Sequence, residues 1–387
     1  MDFALSEHHL RIKQTIAKFV DDVIRPRAAQ LDDAHEFPRD IIQQLADMNF
    51  LAPIIPTQYG GPGLDYLAYA LIGEQVARGD LGIATDLGAH CSLCAAPILY
   101  YGTEEQKRKF LPDMCAGRKL GALALTEPNA GSDAAGVQTK AEDGGDHWVI
   151  NGRKQWISNG DIADVIVVLA KTHPKKGILG LTPIIIEKGM AGFIVEGTAD
   201  MMGIRSSHQA DLVFEDLKVP RENVLGGEKG ICRGFQIIIM DCLNGGRIGV
   251  GASSCGVATA ALEETIGFVK TRSASGEKLS DQQYVQLRIA EMSTRLNAAR
   301  FLTYHAAWVK DTGGHVAKAA AMAKLFGSET CDYIVNHCAI ILGDIGYTKQ
   351  SNIERWLRDS RIQRIYEGTS EIQKLVIAGE VLKRGVF

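Results

Sequence analysis

Near the C-terminus, Glu367 stands between a tyrosine and a glycine in "RIYEGTSEIQ" (364–373), and Glu371 follows four residues on. A carboxylate beside a small residue can be brought against a substrate as a general base, and burial would raise its pKa toward that of a weak carbon acid. Two other stretches combine residue types that packing alone does not demand. "LALTEPNAGSD" (123–133) joins Pro128 to Gly131, Ser132 and a run of backbone amides able to cradle a phosphate or the polar edge of a ring. "QWISNG" (155–160) puts Ser158 two positions after Trp156: an indole to stack on a flat group, and a hydroxyl to hydrogen-bond it. Taken singly, each has a plain structural reading as a helix-capping turn, a surface turn and a core tryptophan.

The elements that must hold these residues fall into three blocks. Residues 1–120 read as helices. Ile12, Ile16, Phe19, Val20 and Val23 share one helical face, with Ser6 as the N-cap and Pro26 ending the pattern. Pro38 opens a further helix at its first position. Near residue 120 the period changes. "HWVINGRKQWIS" carries Asn151-Gly152 between two strand-like runs, a type I′ hairpin signal, and "ADVIVVLAKT", "LTPIIIEKG" and "ADLVFEDLKVP" follow as β-branched strands. Residues 121–226 therefore form a small antiparallel β domain, and 227–387 return to long amphipathic helices with short connections, a bundle pattern. The fold class is α+β, mainly α. A doubly wound parallel sheet is excluded by this order, and neither G-x-G-x-x-G nor G-x-x-x-x-G-K-[ST] occurs.

Composition narrows the function. With 46% hydrophobic residues, 23% charged and a net charge of −4, the chain is an ordinary globular protein with no charge bias toward nucleic acid or anionic membrane. No apolar run is expected to reach the ~18 residues of a membrane span. The N-terminus shows neither a secretory nor a transit pattern, which points to the bacterial cytoplasm, or to the mitochondrial matrix if a presequence has been removed. The eight cysteines read as free thiols, Cys91 and Cys94 of "CSLC" included, and no metal-ligand spacing is present.

"TEPNAGSD", "KQWISNG", "MGIRSSHQADLVFEDLKVPRENVLG", "GRIGVGASSCGVA" and "IYEGTSEIQ" occur in an order and spacing that resemble the acyl-CoA dehydrogenase family along the whole chain. The resemblance implies an N-terminal helical domain, a β-barrel-like middle domain and a C-terminal four-helix bundle, assembled as a homotetramer. It implies FAD as cofactor, an acyl-CoA substrate, and an electron-transferring flavoprotein as acceptor. Carried over residue by residue, Leu125 and Thr126 contact the flavin ring, and Gly131 and Ser132 lie near its phosphates and the thioester. Trp156 and Ile157 lie against the isoalloxazine, Ser158 near flavin N5, and Thr369 also on the cofactor. Arg272 and Gln283 are assigned to the cofactor of a neighbouring subunit, and Arg247 to the substrate side. Glu367 becomes the base that takes the α-proton while the β-hydrogen leaves as hydride to N5, with Gly368 leaving room for the thioester. Relatives of the isovaleryl type carry the base on a bundle helix, where this chain has Gly246, so Glu367 is the expected base rather than that position or Glu371. A flavin oxidase or monooxygenase on the same fold, or a non-catalytic assembly factor, are the alternative readings.

The chain departs from the family pattern at Ile340 and Asp344 in "IILGDIGY" and at Ser275 in "RSASGE", changes that bear on contacts to a neighbour's FAD. The resemblance also assigns the helix "GIATDLGAHCSLC" to the acyl pocket, which would give it polar lining from Asp86, His90 and Cys91. Ala84 stands where glutaryl-type members carry an arginine. The substrate expected from this set is a short, branched or alicyclic acyl group of cyclohexanecarboxyl type.

Overall fold

The computed structural model describes residues 4–274 and 276–385. Helices α1 (Glu7–Phe19), α2 (Arg25–Ala34), α3 (Arg39–Asp47), α4 (Tyr66–Gly79), α5 (Leu81–Gly88), α6 (Ala96–Tyr101) and α7 (Glu104–Cys115) come first. The strands are β1 (Gly121–Ala124), β2 (Lys140–Asp143), β3 (His147–Ser158), β4 (Val165–Lys171), β5 (Leu181–Glu187), β6 (Phe193–Thr198) and β7 (Gln209–Pro220). Then follow α8 (Leu243–Thr271), a ribbon of β8 (Ser273–Ala274) and β9 (Glu277–Lys278), α9 (Gln283–Asp311), α10 (Ala317–Leu342), α11 (Ile353–Ser360) and α12 (Ser370–Arg384). This is the helix–β–helix architecture expected.

Ser6 caps α1, accepting from the His9 amide at 3.3 Å, and Ile12, Ile16 and Val20 are buried. Pro26 does not end the helical run. A π turn at Val20–Ile24 precedes it, so the chain absorbs the proline in the first turn of α2, where its missing N–H costs nothing, and continues to Ala34. Pro38 is the residue before α3 rather than its first.

The seven strands form one sheet in the order β1-β4-β2-β3-β7-β6, with β5 paired to β4. It is mixed rather than antiparallel throughout: β1 runs parallel to β4, and β2 meets β4 through a single parallel pair, Lys140 and Lys171. β4 alternates between two cores. Val165, Val167 and Leu169 join the helical core, whereas Ile166, Val168 and Ala170 pack inside the sheet. Asn151-Gly152 is not a hairpin turn. β3 runs straight through it, with a register shift against β7 between Ile150 and Gly152. Glycine is needed there because a Cβ would sit 2.6 Å from the Thr139 Cα. The turn lies upstream, at Asp143–His147, where the Gly144 amide donates to the His147 carbonyl at 2.9 Å.

In the helical half, α8 packs on α4, α9 and α10. The stretch Leu81–Tyr101 contradicts one expectation. Within its 21 residues an 18-residue window has a mean hydropathy of 1.2, long and apolar enough to cross a membrane, but 89% of that window is buried inside the fold. It is a core segment, broken by a π turn at Ala89–Ala95.

Candidate active site

Between α4, α5, α8, the β1 end of the sheet and the segment before α12 lies a cavity of about 440 Å³. Leu125, Thr126, Gly131, Ser132, Trp156, Ile157, Ser158, Arg247, Glu367, Gly368 and Thr369 all line it. Eleven residues drawn from four distant sequence stretches meet at one place.

The loop after β1 is tied down by a buried ion pair. The Lys154 ammonium, fully buried on β3, donates to Glu127 at 2.8 Å and to the Leu125 carbonyl at 2.9 Å. The Glu127 carboxylate also accepts the Gln138 and Thr139 amides at 2.5 and 3.0 Å. Burial lowers the Lys154 pKa to about 8, with Glu127 working against it. Against the pull of burial, Lys154 and these donors hold Glu127 below the usual carboxylate range.

Trp156 is not a core residue. It is 54% exposed, with φ at +58°, and its amide donates to Asp211 at 3.2 Å, so strand β3 turns its indole outward onto the cavity rim. Two residues on, the Ser158 hydroxyl donates to the Gln209 side chain at 2.6 Å. An exposed indole, the hydroxyls of Thr126 and Ser158, and an open approach at Gly131, where a Cβ would meet nothing within 4 Å, together fit the flat ring of a flavin.

The opposite wall is built around Glu367. Its φ is +53°, a left-handed conformation that a glutamate adopts only under constraint. The constraint comes from two buried side chains. Lys324 of α10 donates to the Gly368 carbonyl at 2.8 Å, and Gln373 of α12 donates to the carbonyls of Glu367 and Gly368 at 3.1 and 2.8 Å. Thr369 caps α12 by accepting the Ile372 amide at 3.3 Å. The carboxylate then points at α8, where a Cβ on Gly246 would stand 1.7 Å from Oε2. Glu367 Oε2 is buried with no hydrogen-bond partner, and so is Nε of Arg247. Burial pushes the Glu367 pKa up to about 7, with Arg247 and Lys324 pulling it the other way. Burial likewise lowers the Lys324 pKa to about 8.

Several expected residues lie elsewhere. Asp86, His90 and Cys91 do not line the cavity. From their segment Ala84, Thr85, Leu87, Gly88, Ala89 and Leu93 do. Asp86 faces the β domain, accepting from the Ser207 hydroxyl at 2.5 Å, and burial raises its pKa well above the usual range. His90 accepts the Gly121 amide at 3.1 Å, and burial drives its pKa down to about 4, so it is neutral. Cys91 is fully buried in the helical core. The family resemblance placed these three on the pocket, but the segment turns Asp86 toward Ser207, His90 toward Gly121 and Cys91 into the helical core. Arg272 and Gln283 are exposed near the β8–β9 ribbon and outside the cavity. Ile340 is exposed on α10, Asp344 caps the turn at Ile345–Tyr347, and Ser275 lies outside the described residues. Glu371 is exposed in the first turn of α12, where backbone donation lowers its pKa. Among the described residues no group of three or more His, Cys, Asp or Glu could hold a metal ion. Lys154, Glu127, Lys324 and Gln373 were not singled out from sequence. The available signal was a lysine inside an apolar helical run, "AAAMAKLFGSE".

A base of raised pKa facing a flavin-shaped wall across an apolar cavity defines an oxidoreductase site that removes hydrogen from a carbon acid. Comparison with known proteins gives the family. Models of the acyl-CoA dehydrogenase N-terminal, middle and C-terminal domains match residues 6–118, 122–217 and 233–382 in turn. The chain belongs to the acyl-CoA dehydrogenase family: it is an FAD-dependent enzyme acting on the CH–CH bond of an acyl-CoA. It is 40% identical over 385 residues to a short-chain-specific acyl-CoA dehydrogenase of Clostridium acetobutylicum, covering 99% of this chain and 100% of that one. The butyryl-CoA dehydrogenase of Megasphaera elsdenii superposes with a TM-score of 0.96 at 39% identity, covering 99% and 100% of the two chains. A chain in a structure described as the electron transferring flavoprotein of Acidaminococcus fermentans superposes with a TM-score of 0.96 at 41% identity, again covering 99% and 100%.

Proposed function

We propose that the chain dehydrogenates a short-chain acyl-CoA between its α and β carbons, with Glu367 as the base. The observation that carries this is the Glu367 carboxylate, whose Oε2 is buried, unpartnered, and lodged in the space that Gly246 leaves beside the cavity. An α-proton next to a thioester is weakly acidic, and a base with a pKa near 7 is matched to it far better than an ordinary carboxylate. Arg247 and Lys324 keep the carboxylate ionised enough to act, and Lys324 and Gln373 fix the backbone that aims it. Leu125, Thr126, Gly131, Ser132, Trp156, Ile157, Ser158 and Thr369 would hold FAD, which when bound accepts the β-hydrogen as hydride. The cavity walls exclude water from the proton being moved.

Relatives named short-chain specific and butyryl-CoA dehydrogenase favour a short linear acyl group over the branched or alicyclic one expected from the sequence. The loss of Asp86, His90 and Cys91 from the lining removes the polar pocket on which that expectation rested. Electrons are proposed to pass to an electron-transferring flavoprotein, as the Acidaminococcus comparison suggests. A homotetramer would cover Leu287 and Trp308 on α9 and Leu375 and Leu382 on α12, all more than half exposed in one chain, and would bring Arg272 and Gln283 to a neighbour's cofactor. The test is turnover of butyryl-CoA with the FAD-loaded enzyme and a dye acceptor, with the product weighed by mass spectrometry. Loss of two hydrogens is expected, and an unchanged thioester would overturn the reading.

A further inference from the structure

Gly73 lies in the middle of α4, buried, and lines the cavity. Glycine weakens a helix interior relative to alanine, so a buried helical glycine generally marks a close approach of something else. The others obey this. A Cβ at Gly79 would meet Ile24 and Val20 at 2.8 Å, at Gly251 the Thr303 hydroxyl at 2.8 Å, and at Gly256 the Glu74 carbonyl oxygen at 2.1 Å. At Gly73 a Cβ would meet nothing within 4 Å, and among the described residues it is the only buried helical glycine of which this is true. Packing gives no reason for a glycine there. The space it leaves is cavity.

That space belongs to the acyl side of the site. The β-domain residues Thr126, Trp156 and Ser158 form the cofactor wall, and across the cavity from them the Glu367 carboxylate fills the space beside Gly246 of α8. The same lining takes in Val250 and Ser253 of α8, Thr85 of α5 and Gly73 of α4 together with the base. A thioester held with its α-carbon at Glu367 therefore extends its tail toward Gly73.

We propose that Gly73 sets the chain-length limit of this enzyme by keeping open a tail subsite for an unbranched aliphatic acyl group longer than four carbons. The inference rests on the acyl-CoA reading above. A Cβ at position 73 would enter the cavity and meet nothing within 4 Å. A missing or surplus methylene in an apolar pocket changes kcat/KM by ~10–200-fold.

The test compares butyryl-CoA and hexanoyl-CoA on the FAD-loaded wild type, Gly73→Ala and Gly73→Val. Replacement of a mid-helix glycine at unstrained φ favours folding, so intact flavin absorbance and a melting temperature no lower than that of the wild type serve as the control for structure. The wild type should use both esters. The ratio of kcat/KM on hexanoyl-CoA to that on butyryl-CoA should fall ~10–200-fold in Gly73→Val, with Gly73→Ala between it and the wild type. The proposal is overturned if both esters fall in parallel, if neither changes, or if the wild type turns over butyryl-CoA and leaves hexanoyl-CoA untouched. A wild type inert to both esters with FAD firmly bound would overturn the reading of the reaction itself, and this inference with it.

Discussion

Gly246 and Glu367 occupy one space: a Cβ on the glycine would stand 1.7 Å from Oε2 and 2.4 Å from Cδ of the glutamate. Two residues 121 positions apart are thus locked together by volume. A side chain at 246 and the present carboxylate position at 367 cannot coexist.

Gly246→Ala should push the carboxylate off its line of attack while leaving the cofactor wall intact. Because a misplacement of ~1 Å can cost ~100-fold in rate, kcat should fall by ~10–100-fold with unchanged FAD content. Steady-state kinetics beside the visible spectrum checks it, and unchanged kcat would contradict the geometry.

The base must be ionised to act, and its pKa in the free enzyme is about 7. kcat/KM should therefore rise with pH and level off above about 7. The same shift has a stability consequence. A carboxyl whose folded pKa is raised favours folding while protonated, and that contribution fades as pH rises from its unfolded value through the folded one. Glu367→Gln should then melt at a higher temperature than the wild type at pH 8, with the gap closing as the pH drops toward ~4.5. Thermal melts of both proteins across this range would decide it.

Lys324 does two things to Glu367: it pins the Gly368 carbonyl at 2.8 Å and pulls down the carboxyl pKa. Lys324→Met removes both. The acid limb of the pH profile should move up by about one pH unit, because an opposite charge near a carboxyl typically lowers its pKa by ~1–3 units. A role in packing alone would lower activity at every pH and leave the limb in place.

Lys154→Met leaves Glu127 buried without its cation. Breaking a buried pair by removing one partner costs ~3–5 kcal/mol, so the melting temperature should drop and the loop carrying Leu125 to Ser132 should loosen. Less FAD should copurify, and its dissociation constant should rise. Adding Glu127→Gln should recover part of the lost stability, since no uncompensated charge is then left.

The sequence carried the local chemistry and lost the long-range part. "IYEGTSEIQ", "TEPNAGSD" and "QWISNG" named residues that meet in one cavity, because each acts through a short segment with a fixed local shape. Asn151-Gly152 was misread because a glycine demanded by Thr139, 13 residues away, looks the same in sequence as one demanded by a turn. Asp86, His90 and Cys91 miss the pocket because a resemblance that assigns a whole segment to a cavity does not say which of its faces turns inward, and this segment is buried on nearly every side. Leu81–Tyr101 escaped notice as an apolar run because Asp86 and His90 interrupt it. Lys154 and Lys324 stayed invisible for the converse reason. A lone lysine reads as surface until the carboxylate and carbonyl partners, 27 and 44 residues distant, are known.

The most direct test of Glu367 as the base is anaerobic titration of the FAD-loaded enzyme with butyryl-CoA, following flavin absorbance, with Glu367→Gln beside the wild type. The wild type should bleach as ester is added, and the variant, binding FAD equally well, should bleach slower by ~100–10,000-fold. Bleaching of the variant at the wild-type rate would contradict the account, because the proton would then be leaving to some other group.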